Sequence, residues 1–485
     1  MNRLHPFFWF ALILALAGCT TAPAEAPETL PLEACQLPGG LDAQCGTLLV
    51  PENRAAPNGR SLSLRIAVIP AGSSVSAPDP VFLLAGGPGQ AASAVYPLLL
   101  GALGEIRQEH DVVLVDQRGT GQSGGLACPA LDDLPLDATE ADVAAAVDQC
   151  RARLAETADL TQYTTDAAMA DLDAVRAALG YEQINLIGTS YGTRAALAYL
   201  RLFPDRVRSL VLNAVAGPEL VIQLQAPRDG ERALALLFAR CAADAACRQA
   251  FPNLEAEFDA LLARFDGDAD VTVSLIHPTT GEPVSFALGR EQFMQNIFNL
   301  LYSAEIVSLL PLLIHQAHDT GDLGPILAQA IALANSVNLD LGMFYAVVCS
   351  EDAAGLDLAQ AEQLQAGSRF PLAADDLLEA CAGWPVTAVS PALRQPPNSD
   401  VPVLLLSGNA DPITPPQYAE AVAAALPNSR HLVVPHYGHD VLAVGCIPTV
   451  VAAFLEAGSA AGLDTACLSE IQPPPFFVSP AGPLP

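Results

Sequence analysis

One turn, Gly188-Thr189-Ser190-Tyr191-Gly192, constrains this chain more than any other stretch. The apolar run Ile184 to Ile187 has strand character and stops at Gly188, while Ala195, Ala196, Ala198, Tyr199 and Leu200 continue beyond Gly192 with helical spacing. A strand that passes into a helix through so few residues needs a sharp turn, and the two glycines permit one. The residue between them is then held in strained backbone geometry with its side chain projecting into solvent. Ser190 is that residue. The five-residue pattern alone is a weak signal; its place between a strand and a helix gives it chemical meaning.

The surrounding pattern predicts an α/β architecture. Apolar strands are expected at Gly46 to Val50, Leu62 to Ile69, Val81 to Leu84, Asp111 to Asp116, Ile184 to Ile187 and Ser209 to Asn213, with helices over Ala141 to Glu156 and Thr165 to Leu179. Strands alternating with helices imply a mostly parallel sheet covered on both faces, whose ligands bind at the carboxyl ends of the strands. From about Gly217 the alternation gives way to helix after helix, including Gly230 to Ala243, Leu254 to Phe265, Arg290 to Tyr302 and Pro325 to Ala334, interrupted by a hairpin of Val271 to Leu275 with Val284 to Leu288. The sheet resumes with Val403 to Leu406 and His431 to Val434, separated by a helix over Pro416 to Ala425. The expected organisation is therefore a first core segment over residues 40–216, a helical cap over 217–400 inserted after the sixth strand, a second core segment over 401–472 completing eight strands, and an irregular Pro-rich tail over 473–485.

Composition removes several chemistries. The chain has 22 basic and 53 acidic residues, a net charge of −31, so its field repels phosphate backbones and nucleic acid is not an expected partner. All the basic residues are Arg, which excludes a phosphate-loop Lys, a Schiff-base Lys and a Ser-Lys dyad. No Cys-x2-Cys pair or His-Glu-x-x-His occurs, and His315-x-x-His318 reads as an exposed helix face, so neither a metal nor a cofactor is expected.

Residues 1–18 combine Arg3 with an apolar run too short to cross a bilayer, and read as a secretory signal. Leu16-Ala17-Gly18-Cys19 resembles the lipobox of bacterial lipoproteins, which would make Cys19 a lipid anchor and residues 19–39 a tether. The protein would then face the oxidising side of a bacterial cell envelope. Ten further cysteines fall into neighbouring couples: Cys35 with Cys45, Cys128 with Cys150, Cys241 with Cys247, Cys349 with Cys381, and Cys446 with Cys467. Five disulfides with that connectivity are expected, although spacing alone does not fix pairing.

A serine hydroxyl needs a base, usually His, which a carboxylate holds in the correct tautomer. Asp411 follows the strand Val403 to Leu406 and His439 follows His431 to Val434, so both are expected at the edge that carries Ser190. Asp411-Pro412 also fits a simple turn and helix cap. Gly438 favours His439 over His436 as the base, because it permits a close approach. Asp116 and Arg118, at a strand end, are expected to pair and shape their turn. Gly86-Gly87-Pro88-Gly89 follows the third central strand, which points to the N–H groups of Gly87 and Tyr191 as an oxyanion hole, with Gly86 as the alternative.

With these residues in hand, the sequence resembles prolyl iminopeptidases and secreted tripeptidyl aminopeptidases of the α/β-hydrolase superfamily. The resemblance rests on Gly86-Gly87-Pro88-Gly89, on Val115-Asp116-Gln117-Arg118-Gly119-Thr120-Gly121-Gln122-Ser123 and on Gly188-Thr189-Ser190-Tyr191-Gly192, and spans roughly residues 40–470. It departs at Ala85, where prolyl iminopeptidases usually carry His. The resemblance implies the α/β-hydrolase fold and a serine hydrolase that removes residues from peptide N-termini, with a peptide bearing a free amino terminus as partner. In that family acidic residues of the cap hold the substrate's amino group, which implies Glu351 of Cys349-Ser350-Glu351-Asp352 for that role. Hydrolysis of small esters by the same machinery, and a non-catalytic peptide-binding lipoprotein, are the alternatives.

Overall fold

A computed structural model describes residues 30–483, apart from 100, 102, 268–269, 335–337 and 372–373. The expected signal segment, Cys19 and most of the stretch read as a tether lie outside the described residues. Among these residues, nine strands form one sheet: β1 (Glu33–Leu37), β2 (Leu41–Pro51), β3 (Ser61–Ile69), β4 (Val81–Leu84), β5 (Val112–Val115), β6 (Ile184–Thr189), β7 (Val207–Asn213) and, after the two-stranded hairpin of β8 (Val271–Ile276) and β9 (Pro283–Leu288), β10 (Val403–Gly408) and β11 (Ser429–Val434). The order across the sheet is β1-β2-β3-β5-β4-β6-β7-β10-β11. The first three pairings are antiparallel, and every pairing from β5 to β11 is parallel.

The central strands are apolar on both sides because both sides are covered. Alternate residues go to opposite faces: Phe82, Leu84, Val113 and Val115 join one apolar cluster, while Val81, Leu83, Val112 and Leu114 join the other. Helices Glu140–Ala155, Thr165–Ala178, Tyr191–Leu202 and Pro416–Ala423 contribute to the first cluster, and Ile447–Ala457 to the second. Between β7 and β10 runs a long insertion with its own apolar cluster, drawn from helices Ile222–Ala243, Leu254–Leu262, Arg290–Leu300, Ala304–Thr320 and Gly324–Ala334 and from the hairpin. Its Leu341–Glu351 helix leaves that cluster and packs Met343, Ala346, Val347 and Val348 into the first face of the sheet.

The architecture departs from the sequence expectation in several places. The sheet has nine strands rather than eight, and the insertion follows its seventh strand. The added strand, β1, occupies part of the stretch read as tether; it pairs Cys35 with Ala43 of β2, buries Leu37, and is tied down by the Cys35–Cys45 disulfide. The Ile222–Ala243 helix begins eight residues before the expected start at Gly230, running through Pro227. Gly230 is no helix start: it packs against the rings of Phe298 and Phe370, where a Cβ would come within 2.8 Å of Phe298 Cδ2. Among its described residues the tail has no helix or strand but is packed: Phe476 is buried in the insertion's cluster beneath the Arg240 guanidinium, and Phe477 N–H donates to Ser308 O at 3.0 Å.

The structure joins the five cysteine couples Cys35–Cys45, Cys128–Cys150, Cys241–Cys247, Cys349–Cys381 and Cys446–Cys467. Five disulfides fit an oxidising compartment. Among the described residues, no helix is long and apolar enough to cross a membrane.

Candidate active site

Four parallel strands, β4, β6, β10 and β11, end on the same edge of the sheet, and each delivers one of the residues singled out by sequence. Ser190 stands between β6 and the Tyr191–Leu202 helix at φ 58° and ψ −124°, a conformation that costs a residue with a side chain. The surroundings hold it there. Ser190 N–H donates to Asn213 O at 3.0 Å, and Ser190 O accepts from Thr193 N–H at 2.9 Å and Thr193 Oγ1 at 2.6 Å. The flanking glycines are required by close approach: a Cβ on Gly188 would lie 2.3 Å from Gly192 O, and one on Gly192 would lie 2.1 Å from Leu84 O. The Ser190 side chain is half-buried and so reachable from solvent.

Asp411 is fully buried, and its oxygens are saturated. Oδ1 accepts from the N–H groups of Ile413 (2.8 Å) and Thr414 (2.9 Å); Oδ2 accepts from Thr414 Oγ1 (2.7 Å) and meets His439 Nδ1 at 3.0 Å. Burial alone would raise the Asp411 carboxyl, but the His439 imidazole and the two backbone N–H groups hold it below the usual carboxylate range. For His439, burial acts downward, and the charge and hydrogen bond of Asp411, with the charge of Asp440, more than offset it and raise the imidazole above its ordinary value. Nδ1 is thus bound to the carboxylate, which leaves Nε2 as the ring nitrogen available for a proton. His436, the competing imidazole, is exposed, and among the described residues no hydrogen bond joins it to Asp411.

The Gly-Gly-Pro-Gly stretch lies against the serine: a Cβ on Gly86 would be 3.2 Å from Ser190 Cβ. Gly87 has φ 101°, a conformation open to glycine alone. Among the described residues, the N–H groups of Gly87 and Tyr191 donate to no protein acceptor. Their geometry therefore leaves two donors unused beside Ser190.

Three further residues that sequence reading passed over complete the arrangement. Asn213, at the end of β7, receives the Ser190 N–H on its carbonyl while its side-chain amide donates to Asp440 Oδ1 at 2.7 Å, so one residue ties the serine turn to the His439 loop. Thr414 supports Asp411, and the Asp-x-x-Thr spacing of a local side-chain cap was its signal. Tyr302, at the end of an insertion helix, accepts the His439 N–H on its carbonyl at 3.0 Å. Nothing in its local sequence marks it. The structure does not close a hydrogen bond between Ser190 Oγ and His439, a contact that often tightens only when substrate is bound.

Two expectations are corrected. Arg118 does not pair with Asp116: it is fully buried and makes a two-pronged contact with Asp171, at 2.7 and 2.8 Å, while Asp116 accepts from Ser93 and Gln122. Glu351 is only 2% exposed, and both its oxygens accept from Thr165, so it is not presented to a substrate's amino group. A cavity of about 990 Å³ between the Glu140–Ala155 helix and the hairpin is lined by none of Ser190, Asp411 and His439.

A family model described as alpha/beta hydrolase fold matches residues 79–239, the stretch holding β4 to β7 and the serine turn. The chain has the α/β-hydrolase fold. A second model, described as TAP-like protein, matches residues 371–467, the stretch that holds Asp411 and His439. The chain is 31% identical over 196 residues to a tripeptidyl aminopeptidase of Streptomyces coelicolor, a match covering 36% of this chain and 35% of that protein. It is 29% identical over 234 residues to the serine protease Hip1 of Mycobacterium bovis, covering 44% of each. With a proline iminopeptidase of Xylella fastidiosa it shares 29% identity over 141 residues, covering 28% of this chain and 32% of that one. The chain thus spans about a third of the tripeptidyl aminopeptidase it matches, and under half of the others.

Proposed function

We propose that this α/β-hydrolase is a serine peptidase that releases residues from the N-terminus of peptides through an acyl-enzyme. Ser190 attacks the scissile carbonyl, and His439 Nε2 takes its proton and passes it to the leaving amine. Asp411 holds the imidazole in the tautomer that exposes Nε2, and the N–H groups of Gly87 and Tyr191 stabilise the oxyanion. Water then attacks the acyl-enzyme with His439 again as base, freeing Ser190. No cofactor enters this sequence. The observation that carries the reading is the Asp411–His439 pair, 3.0 Å apart, on the strand ends beside a serine held at φ 58°. Relatives named tripeptidyl aminopeptidase, serine protease and proline iminopeptidase support peptides as the substrate class. The insertion between β7 and β10, read as the cap, would shape the substrate cleft. Leu16-Ala17-Gly18-Cys19 supports a lipid anchor at Cys19; fatty-acid labelling that Cys19→Ala abolishes would test it.

The test of the enzymatic reading has two parts. A fluorophosphonate should label wild type on Ser190, and Ser190→Ala should be unlabelled, still folded, and about 10⁶-fold slower in kcat. Aminoacyl and peptidyl arylamides should be cleaved from the free amino end. Turnover of acyl esters alone would overturn the peptidase reading, and failure to label would overturn the catalytic one.

A further inference from the structure

Behind the serine turn lies a closed chain of hydrogen bonds that the reaction as described does not use. Glu351 Oε1 accepts the backbone N–H of Thr165 at 2.7 Å, and Oε2 accepts Thr165 Oγ1 at 2.8 Å; Thr165 Oγ1 in turn lies 2.9 Å from the Tyr191 hydroxyl. Every member is buried: Thr165 is 0% exposed, Glu351 2% and Tyr191 4%. Three separate elements meet here. Glu351 ends the insertion's Leu341–Glu351 helix, Thr165 opens the Thr165–Ala178 helix, and Tyr191 is the first residue of the helix that Ser190 begins.

Hydrogen counting fixes the direction of this chain. A carboxylate only accepts, and a threonine hydroxyl has a single proton to give. With Glu351 ionised, that proton points to Oε2, so the Tyr191 hydroxyl must donate to Thr165 Oγ1. All donors are then satisfied. With Glu351 protonated on Oε2, the acid donates to Thr165 Oγ1 and the threonine proton turns toward Tyr191. The Tyr191 proton then has no acceptor among the described residues, and leaving a buried donor orphaned is unfavourable.

We propose that Glu351 is a positioning residue for the oxyanion hole: through Thr165 it fixes the Tyr191 side chain, and so the Tyr191 N–H, in the place the reaction requires. This rests on the function proposed above. Anchoring the side chain of the first helical residue matters because Ser190, immediately before it, is strained and Tyr191 N–H has no partner among the described residues to orient it. Glu351 is also poised to change state. Burial pushes its carboxyl up to about 7, against the hydrogen bonds from Thr165 and the charge of Arg194, and with the charge of Asp352 adding to the rise. The charged and titratable groups that bear on it are Arg194, paired with Asp352 at 2.8 Å, Asp352 itself, Tyr191, and Arg394, which donates to the Glu351 carbonyl. The ionised form is the one that satisfies the chain.

Glu351→Gln tests this, because the amide reproduces the protonated acid: its oxygen accepts Thr165 N–H and its NH₂ faces Thr165 Oγ1. The expected result is a fall in kcat of about tenfold with KM little changed, less than the ~10²–10³ expected for removing an oxyanion donor outright. The acid limb of log(kcat/KM) against pH should be steeper than one proton in wild type, where His439 and Glu351 both titrate, and should follow one proton in Glu351→Gln. Thr165→Val, which cuts the chain while leaving Glu351 in place, should give the same single-proton limb. Fluorophosphonate labelling separates the two levels of failure. If wild type is not labelled on Ser190, the proposed function fails. If wild type labels and both variants keep its kcat and limb shape, the role of Glu351 is overturned. A lowered melting temperature with those two readouts unchanged also overturns it, since it marks a purely structural residue.

Discussion

The Tyr302 ring meets the His439 imidazole edge-on, with centroids 5.0 Å apart and planes at 61°. Tyr302 belongs to the insertion and His439 to the sheet edge, so the candidate base is steadied by a residue about 140 positions away from it in the chain.

Truncating that ring should loosen the imidazole. Tyr302→Ala is expected to lower kcat about fivefold, the equivalent of the ~1 kcal/mol that an aromatic pair contributes beyond its buried area. Tyr302→Phe should stay near wild type, because the Tyr302 hydroxyl has no hydrogen-bond partner among the described residues. Steady-state kinetics on a peptide arylamide would separate the two; equal losses in both would show that the hydroxyl, not the ring, matters.

Thr414 donates to the Asp411 oxygen that also meets His439, at 2.7 Å. Replacing it with the near-isosteric Val removes one charge-assisted hydrogen bond and leaves a buried carboxylate short of a donor, a change of about 1.5–3 kcal/mol. Thr414→Val should therefore reduce kcat/KM by roughly tenfold to a hundredfold. An unchanged kcat/KM in the folded variant would mean that the two backbone N–H groups suffice.

The pH profile has a definite sign. The proposed mechanism needs neutral His439, so activity is expected above the imidazole pKa and should be lost as pH falls through it. Because Asp411 and Asp440 raise that pKa, the His439 limb is expected above the unperturbed value of about 6.5. Asp440→Asn removes one of the two negative charges and should move the limb to lower pH. A limb that stays put, or moves upward, contradicts this account.

The Cys349–Cys381 disulfide closes a 32-residue separation around the Glu351 end of its helix. Replacing both cysteines by Ser should cost about 3–4 kcal/mol on a chain-entropy estimate. Chemical denaturation should show the loss, and calorimetry should show a lower melting temperature. Equal stability of the double variant would mean that packing of Met343, Ala346 and Val347 alone holds this helix.

Much of this was legible in the chain because local rules agreed with the fold. The Ser190 turn is written in glycines whose spacing admits main chain against main chain, and the buried strands β4, β5 and β10 are written in apolar runs of four residues. The cysteines joined in the structure are neighbours in sequence because each closes a local excursion. What stayed hidden depends on distant partners. β1 carries only one well-buried residue, so its pattern is weak, and it is fixed by pairing with β2. Asn213 and Tyr302 matter through what the fold brings to them. Glu351 read as a substrate contact through the family resemblance, and its local sequence gives no sign of burial; only the placement of Thr165 reveals its partner.

The turn that carries His439 is the middle sheet of a stack of three backbones. A Cβ on Gly408 would sit 2.0 Å from Gly438 O, and a Cβ on Gly438 would sit 2.2 Å from Tyr302 O. No slack separates the end of β10, the imidazole's loop and the insertion. A shift of the Tyr302 end of the insertion would draw the Tyr302 carbonyl from the His439 N–H, so the seat of the candidate base belongs to the insertion as much as to the sheet.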